Sequence, residues 1–247
     1  MPPWRTPTCT CSSPPPRSGW DLRYPKLRAL LYEYAIRAAP GADTPAEPEG
    51  PLVLPGIYQV TLTVAGRSYT VPLTVKQDPR VKVPLASLSE QLSLQMALGD
   101  GMKRSYEALQ QVHDLRRQLR EIGARLESDL DGKQTLASVR ALDERAQALQ
   151  GRDPRSADPD AGFALAAGSG PASLATLNAT FATLATIAGG ADAAPTLQAR
   201  EMFKEQRRDL GTQLAAWSLI TSTQIPDLNR TLRERGLPAI KIGESGK

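Results

Sequence analysis

A single β-hairpin with one apolar face, residues 52–75, stands directly in front of a long helical segment, and this arrangement narrows the possible folds more than any other feature. Leu54-Pro55-Gly56-Ile57-Tyr58 opens the first strand, and Tyr58, Val60, Leu62 and Val64 then alternate with Gln59, Thr61 and Thr63. Side chains two apart in a strand share a face, so the apolar residues form one surface and the polar residues the other. Ala65-Gly66 supplies the turn. On the return strand Tyr69, Val71, Leu73 and Val75 continue the apolar face, while Ser68, Thr70, Pro72 and Thr74 point away. Proline has no N–H to give to a ladder, so Pro72 marks an edge or a non-bonding position. Two strands alone are marginal in water. The upstream run able to help is Trp20-Asp21-Leu22-Arg23-Tyr24, which leaves the set short of the roughly seven strands of an immunoglobulin-like sandwich. Residues 20–83 are therefore expected to form an incomplete immunoglobulin-like β module, a hairpin plus one or two strands, and the chain reads as the tail of a larger protein.

After Lys76-Gln77-Asp78-Pro79-Arg80 the apolar period changes from two to 3.6. Ser87-Leu88-Ser89-Glu90 reads as a capping box behind Pro84, and Leu88, Leu92, Met102, Tyr106 and Leu109 fall on one helical face. Gly99-Asp100-Gly101 interrupts this helix. Leu88 and Met102 are two heptads apart, so the stripe keeps its phase, and one helix with a kink at the glycines is expected. Each glycine costs about 1 kcal/mol relative to alanine. The stripe continues through Val112, Leu115, Leu119, Ile122 and Leu126 towards Ser128, a rod of roughly 60 Å. A second helix follows Asp131-Gly132, carries Leu136, Val139, Leu142, Ala146 and Leu149, and stops at Gly151. The third carries Leu174, Leu177, Phe181, Leu184 and Ile187 and ends at Gly189-Gly190. The fourth begins near Pro195, runs through Phe203, Leu210, Leu214, Trp217, Leu228 and Leu232 to Gly236, and is expected to kink at Pro226. Four amphipathic helices can cover their stripes against one another, so residues 84–240 are read as a four-helix bundle and the fold class as α+β.

The remaining segments are less structured by pattern. Residues 1–19 are rich in proline, serine and threonine and lack the apolar core of a signal peptide, which predicts a disordered leader. A leader of this composition, joined abruptly at Gly19-Trp20 to a strand-like run, is what a misassigned start or a frameshift produces. Cys9 and Cys11 are too close for an easy disulfide and have no second ligand pair for zinc, so they read as exposed thiols. Residues 25–38 fit a short strand or a short helix, residues 39–51 a loop, residues 152–170 a linker, and residues 241–247 a disordered tail. No run of residues approaches a membrane span.

The formal net charge of +4 arises upstream of the helices, because residues 1–83 carry ten basic and six acidic residues and residues 84–247 carry twenty of each. Arg116, Arg117 and Arg120 are interleaved with Asp114 and Glu121, which reads as a solvated helix face rather than a phosphate-binding stripe, and no nucleic-acid partner is expected. Catalytic material is sparse. His113 is the single histidine and lies on a helix face, so it reads as structural. The carboxylate pairs Asp143-Glu144, Asp158 with Asp160, and Glu201 with Glu205 read as surface charge rather than as glycosidase acids. Gly168-Ser169-Gly170 lacks the strand and helix of a nucleotide loop, and Trp4, Trp20 and Trp217 do not cluster in sequence. No catalytic, cofactor-binding or metal-ligating residue is assigned, and no cofactor is expected.

Three stretches carry a resemblance: Trp20-Asp21-Leu22-Arg23-Tyr24-Pro25, Gly50-Pro51-Leu52-Val53-Leu54-Pro55-Gly56-Ile57-Tyr58-Gln59-Val60, and Tyr69-Thr70-Val71-Pro72-Leu73-Thr74-Val75-Lys76-Gln77-Asp78-Pro79-Arg80. Together they resemble the C-terminal region of secreted bacterial proteins with BNR/Asp-box, sortilin-like β-propellers, often labelled sialidase-like glycosyl hydrolases. The resemblance implies an immunoglobulin-like module after a propeller and a helical tail after the module. It also implies a secreted or periplasmic parent, although the chain as it stands shows no signal peptide and would be cytoplasmic if expressed so. No Asp-box (Ser-x-Asp-x-Gly-x-Thr-Trp) and no blade repeat occurs here, so no family site residue transfers. The expected function is a non-catalytic C-terminal docking or spacer module whose partner is the upstream propeller and β-sandwich. The alternatives are an accessory part of a glycoside hydrolase and a helical adaptor that binds a protein partner through its long rod.

Overall fold

The computed structural model describes residues 19–26, 29, 49–129, 131–152 and 171–243. The expected leader with Cys9 and Cys11, nearly all of residues 27–48, the linker from residue 153 to 170 and residues 244–247 of the tail lie outside the described residues. The described chain forms β1 (Gly56–Val64), β2 (Arg67–Val75), α1 (Leu85–Leu126), α2 (Lys133–Gln150), α3 (Leu174–Gly189), α4 (Leu197–Leu219), a π-helical turn (Ile220–Gln224) and α5 (Ile225–Glu234). Dihedrals stay right-handed helical at Ile220 and Ile225, so α4, the π turn and α5 make one rod. The fold is α+β, a two-stranded antiparallel hairpin followed by four helical rods.

Helix α1 starts earlier than its sequence suggests. Pro84 is extended, with φ −61° and ψ 143°, and its carbonyl accepts from the N–H groups of Ser87 at 3.0 Å and Leu88 at 3.3 Å. Ser87 therefore lies inside the first turn and the expected capping box does not form, since no side chain caps this end. Glu90 instead pairs with Arg200 of α4 at 2.6 Å.

The expected weak point at Gly99-Asp100-Gly101 is continuous α-helix. A Cβ at Gly101 would stand 3.0 Å from two ring carbons of Phe181, so the missing side chain is what admits this fully buried ring of α3. Burying an aromatic ring is worth several times the roughly 1 kcal/mol a helical glycine costs. Polar groups fix the same seam. Asn178 donates to the Met102 carbonyl and to Ser105 Oγ, each at 2.9 Å, and Ser105 Oγ bonds the Gly101 carbonyl at 2.8 Å. At the other end of α3, Gln91 Nε2 donates to the carbonyls of Ala188 and Ala191, both at 2.6 Å, and the first of these is a C-terminal group that a helix leaves open. Placing Gln91 inside rotates the N-terminal part of α1, so Leu94 and Leu98 are buried while Leu88, Leu92 and Tyr106 are only half-buried. The buried stripe therefore runs through Leu94 and Leu98 rather than through Leu88 and Leu92.

The other helix ends follow local chemistry. Gly132 precedes α2, and Gly151, with φ +77°, closes it where a Cβ would overlap Ser173. Ser173 and Thr196 cap α3 and α4 by accepting from the N–H groups of Thr176 and Ala199, each at 3.2 Å. Pro195 thus sits ahead of the α4 cap instead of in its first turn. In α3, Ala188 is buried and Ile187 is 61% exposed, which reverses the expected assignment. The π turn explains Pro226. Ile225 N–H bonds the carbonyl of Ile220, five residues back, and this wider turn accommodates a proline ring that would press on the carbonyl four residues back. Beyond α5, Asn229 bonds both backbone groups of Ile240, at 2.9 and 2.7 Å, and Gln118 holds Lys241 in the same way at 2.8 and 2.9 Å.

Candidate docking surface

The hairpin is built as its sequence dictates. Ala65 and Gly66 have φ of 48° and 79°, a type I′ turn whose twist suits the flanking strands. The register pairs Tyr58 with Leu73, Val60 with Val71, Leu62 with Tyr69 and Val64 with Arg67, which brings the apolar residues onto one face. That face is left open: Val60, Leu62, Val64, Tyr69 and Val71 are each more than 40% exposed. On the opposite face the hydroxyls of Thr61 and Thr70, and of Thr63 and Ser68, meet at 2.9 Å.

Among the described residues, only the foot of the hairpin is covered. Trp20 packs edge-on against Tyr58 with ring centroids 5.8 Å apart, and the Tyr58 hydroxyl donates to the Leu54 carbonyl at 2.7 Å. Burial, helped by nearby Tyr24, raises the pKa of that hydroxyl. Residues 20–24 do not extend the hairpin, however. They form a separate antiparallel bridge, Arg23 with Leu52, in which Tyr24 N–H bonds the Pro51 carbonyl and Val53 N–H the Leu22 carbonyl, each at 2.9 Å. Gly50 is obligatory there, because a Cβ would fall 1.8 Å from the Tyr24 carbonyl oxygen. The expected third strand is thus a separate clasp below the hairpin.

Between this clasp and the bundle lies a groove of about 210 Å³, lined in part by Leu22, Leu54, Val75, Leu92, Gln95 and Asp192. Gln77 shapes the connection beside it, donating to the carbonyls of Val81 at 3.1 Å and Val83 at 2.9 Å. Asp78 accepts from the backbone and guanidinium of Arg80, with 2.6 Å at the shortest, and these bonds hold its carboxyl below the ordinary carboxylate range. Among the described residues no three His, Cys, Asp or Glu side chains converge as a metal site.

No protein-family model, curated protein or solved structure matches the chain. His113 is half-buried on α1, with both ring nitrogens shielded from solvent and without a hydrogen-bond partner. Arg116 corrects its reading as a solvated charge: it is half-buried and bridges α1 to α2, binding Asp143 at 2.9 Å and Gln150 at 2.8 Å. That ion pair occupies Asp143, while Glu144 is exposed. Glu201 and Lys204 lie 3.9 Å apart, and Arg117 sits between Asp114 and Glu121 on the surface. Trp217 is buried and donates to Gln111 of α1 at 2.9 Å, whereas Trp20 packs on Tyr58. Asp158, Asp160, Gly168-Ser169-Gly170 and Trp4 lie outside the described residues. No helix among the described residues is long and apolar enough to cross a membrane.

Sequence reasoning missed Gln91, Ser105 and Asn178. Apolar periodicity assigns polar residues outward by default, and the pairing of Ser105 with Asn178 spans 73 residues.

Proposed function

We propose that the chain is a non-catalytic docking and spacer module, the C-terminal part of a secreted or periplasmic BNR-repeat, sortilin-like propeller protein, with its hairpin completing an immunoglobulin-like sandwich supplied by the parent. The observation that carries this reading is the open apolar face of β1 and β2. A soluble chain seldom leaves a contiguous apolar surface in water unless something binds there. The bundle serves as the spacer, because its apolar stripes are already used internally: Leu98, Met102, Leu115 and Leu119 of α1 are buried. This internal use also weighs against an adaptor that binds through the α1 stripe.

The test compares the chain alone with the chain preceded by the polypeptide encoded directly upstream. Alone it should bind the hydrophobic dye ANS and self-associate in sedimentation velocity, and the upstream polypeptide should suppress both. It should also show no glycosidase turnover. A monodisperse, dye-silent chain overturns docking by the hairpin, and turnover by the chain alone overturns its non-catalytic character.

A further inference from the structure

The two edges of the hairpin are not equivalent. In an antiparallel pair, opposed residues alternate between those that exchange both backbone hydrogen bonds and those that exchange none. A two-residue I′ turn makes its closing pair, Val64 with Arg67, a bonded one, so Thr63–Ser68, Thr61–Thr70, Gln59–Pro72 and Ile57–Thr74 are the non-bonded pairs. The 2.9 Å approaches of Thr61 to Thr70 and of Thr63 to Ser68 agree, since side chains stand closer at non-bonded positions. The backbone groups of Ile57, Gln59, Thr61 and Thr63 therefore point outward from β1, and those of Ser68, Thr70, Pro72 and Thr74 outward from β2. Pro72 has no N–H to offer at the middle of its edge, and its ring stands where an incoming strand would lie. The β1 edge has no such block, and among the described residues no strand pairs with it.

We propose that the partner adds a β-strand along the outer edge of β1, from Ile57 to Thr63, while Pro72 closes the β2 edge. This rests on the docking reading and specifies its geometry. The incoming segment is extended, carries no proline where its N–H faces β1, and alternates apolar residues beside Val60 and Leu62 with small polar ones beside Thr61 and Thr63. A second copy of this chain makes a poor specific partner, although the exposed face still drives loose self-association. Two strands of nine residues present a face of roughly 30 by 10 Å, on the order of 300 Å² per copy, against roughly 800 Å² per partner in a standard interface. Pairing two copies edge to edge would also leave both apolar faces uncovered. A strand from a larger sheet can pair with the edge while its neighbours cover the face.

The probe is a fluorescein-labelled peptide, Lys-Thr-Val-Thr-Val-Thr-Val-Thr-Lys, added to the full chain and followed by anisotropy and by amide hydrogen exchange. Binding should slow exchange several-fold at Ile57, Gln59, Thr61 and Thr63 and leave Ser68, Thr70 and Thr74 unchanged. Thr61→Pro should abolish the anisotropy gain and Thr70→Pro should preserve it, because neither proline removes a bond within the hairpin. Protection on the β2 edge, or equal binding by Thr61→Pro, overturns the edge assignment. Binding without protection at either edge overturns the assignment yet leaves docking through the face intact. Absence of binding overturns the assignment too, and the docking reading falls with it only if the chain is also dye-silent and monodisperse.

Discussion

The seam between α1 and α3 and the face of the hairpin are both apolar surfaces written with a regular period, yet one is closed and the other open. At the seam Gly101 accepts the Phe181 ring, and Asn178 and Ser105 satisfy each other beside it. At the hairpin Val60, Val71, Leu62 and Tyr69 form a comparable stripe that nothing covers among the described residues. The difference is one of partners among the described residues. Four amphipathic helices can close on one another, whereas a lone two-stranded sheet can hide its face only against a further layer.

The sharpest way to break this comparison is to truncate both stripes. Phe181→Ala should destabilise the protein by about 3–5 kcal/mol in chemical denaturation, as large buried aromatics do, whereas Val71→Ala should change stability by about 0.5 kcal/mol or less. Equal losses would mean that the hairpin face is packed in solution. Removing a polar member of the seam should come next. Asn178→Ala leaves Ser105 and the Met102 carbonyl short of a donor and should cost about 1–3 kcal/mol, with a midpoint unchanged from the parent protein counting against a closed seam.

A glycine exchange sharpens the same contrast at somewhat smaller scale. Gly101→Ala should cost about 1–3 kcal/mol because the methyl meets the Phe181 ring, and the penalty should vanish in the Phe181→Ala background. Gly211→Ala, on an exposed position of α4 with nothing near its Cβ, should instead stabilise by up to about 1 kcal/mol. A cycle showing additive effects at Gly101 and Phe181 would remove the close-approach explanation. The smallest effect belongs to Asp78 at the foot of the hairpin. Its depressed pKa means that the contribution of its bonds to Arg80 is fully present above the ordinary carboxylate pKa and is lost as pH falls through the lowered value. An NMR titration of Asp78 should move up towards the ordinary value in Arg80→Ala, and an unmoved titration would remove Arg80 as the cause.

Regions with a strong local signal were legible in the sequence. Alternation from Tyr58 to Val75 and the Ala65-Gly66 turn gave the hairpin, and the glycines at 132, 151 and 189–190 marked helix ends to within a residue or two. The shortage of strands to cover the hairpin's apolar face was legible too, because it follows from a count. Reading failed where a polar or glycine residue serves a distant contact. Gly101 read as a kink when it is a seat for a ring, Arg116 read as solvated when it ties α1 to α2, and Ser87-Glu90 read as a cap when Pro84 had already begun the helix.

Local order thus came from the sequence by itself: period two in the hairpin, period 3.6 in the helices, and an apolar sheet face with too few strands to cover it. These depend on backbone geometry and on the alternation of side chains over a few residues. Tertiary structure decided which way α1 turns its N-terminal half, why its glycines remain helical, where Trp20–Tyr24 pairs, and how a π turn absorbs Pro226. Each of these depends on a contact across the fold or on a backbone adjustment, and the energy of either is set by the neighbours that meet in space.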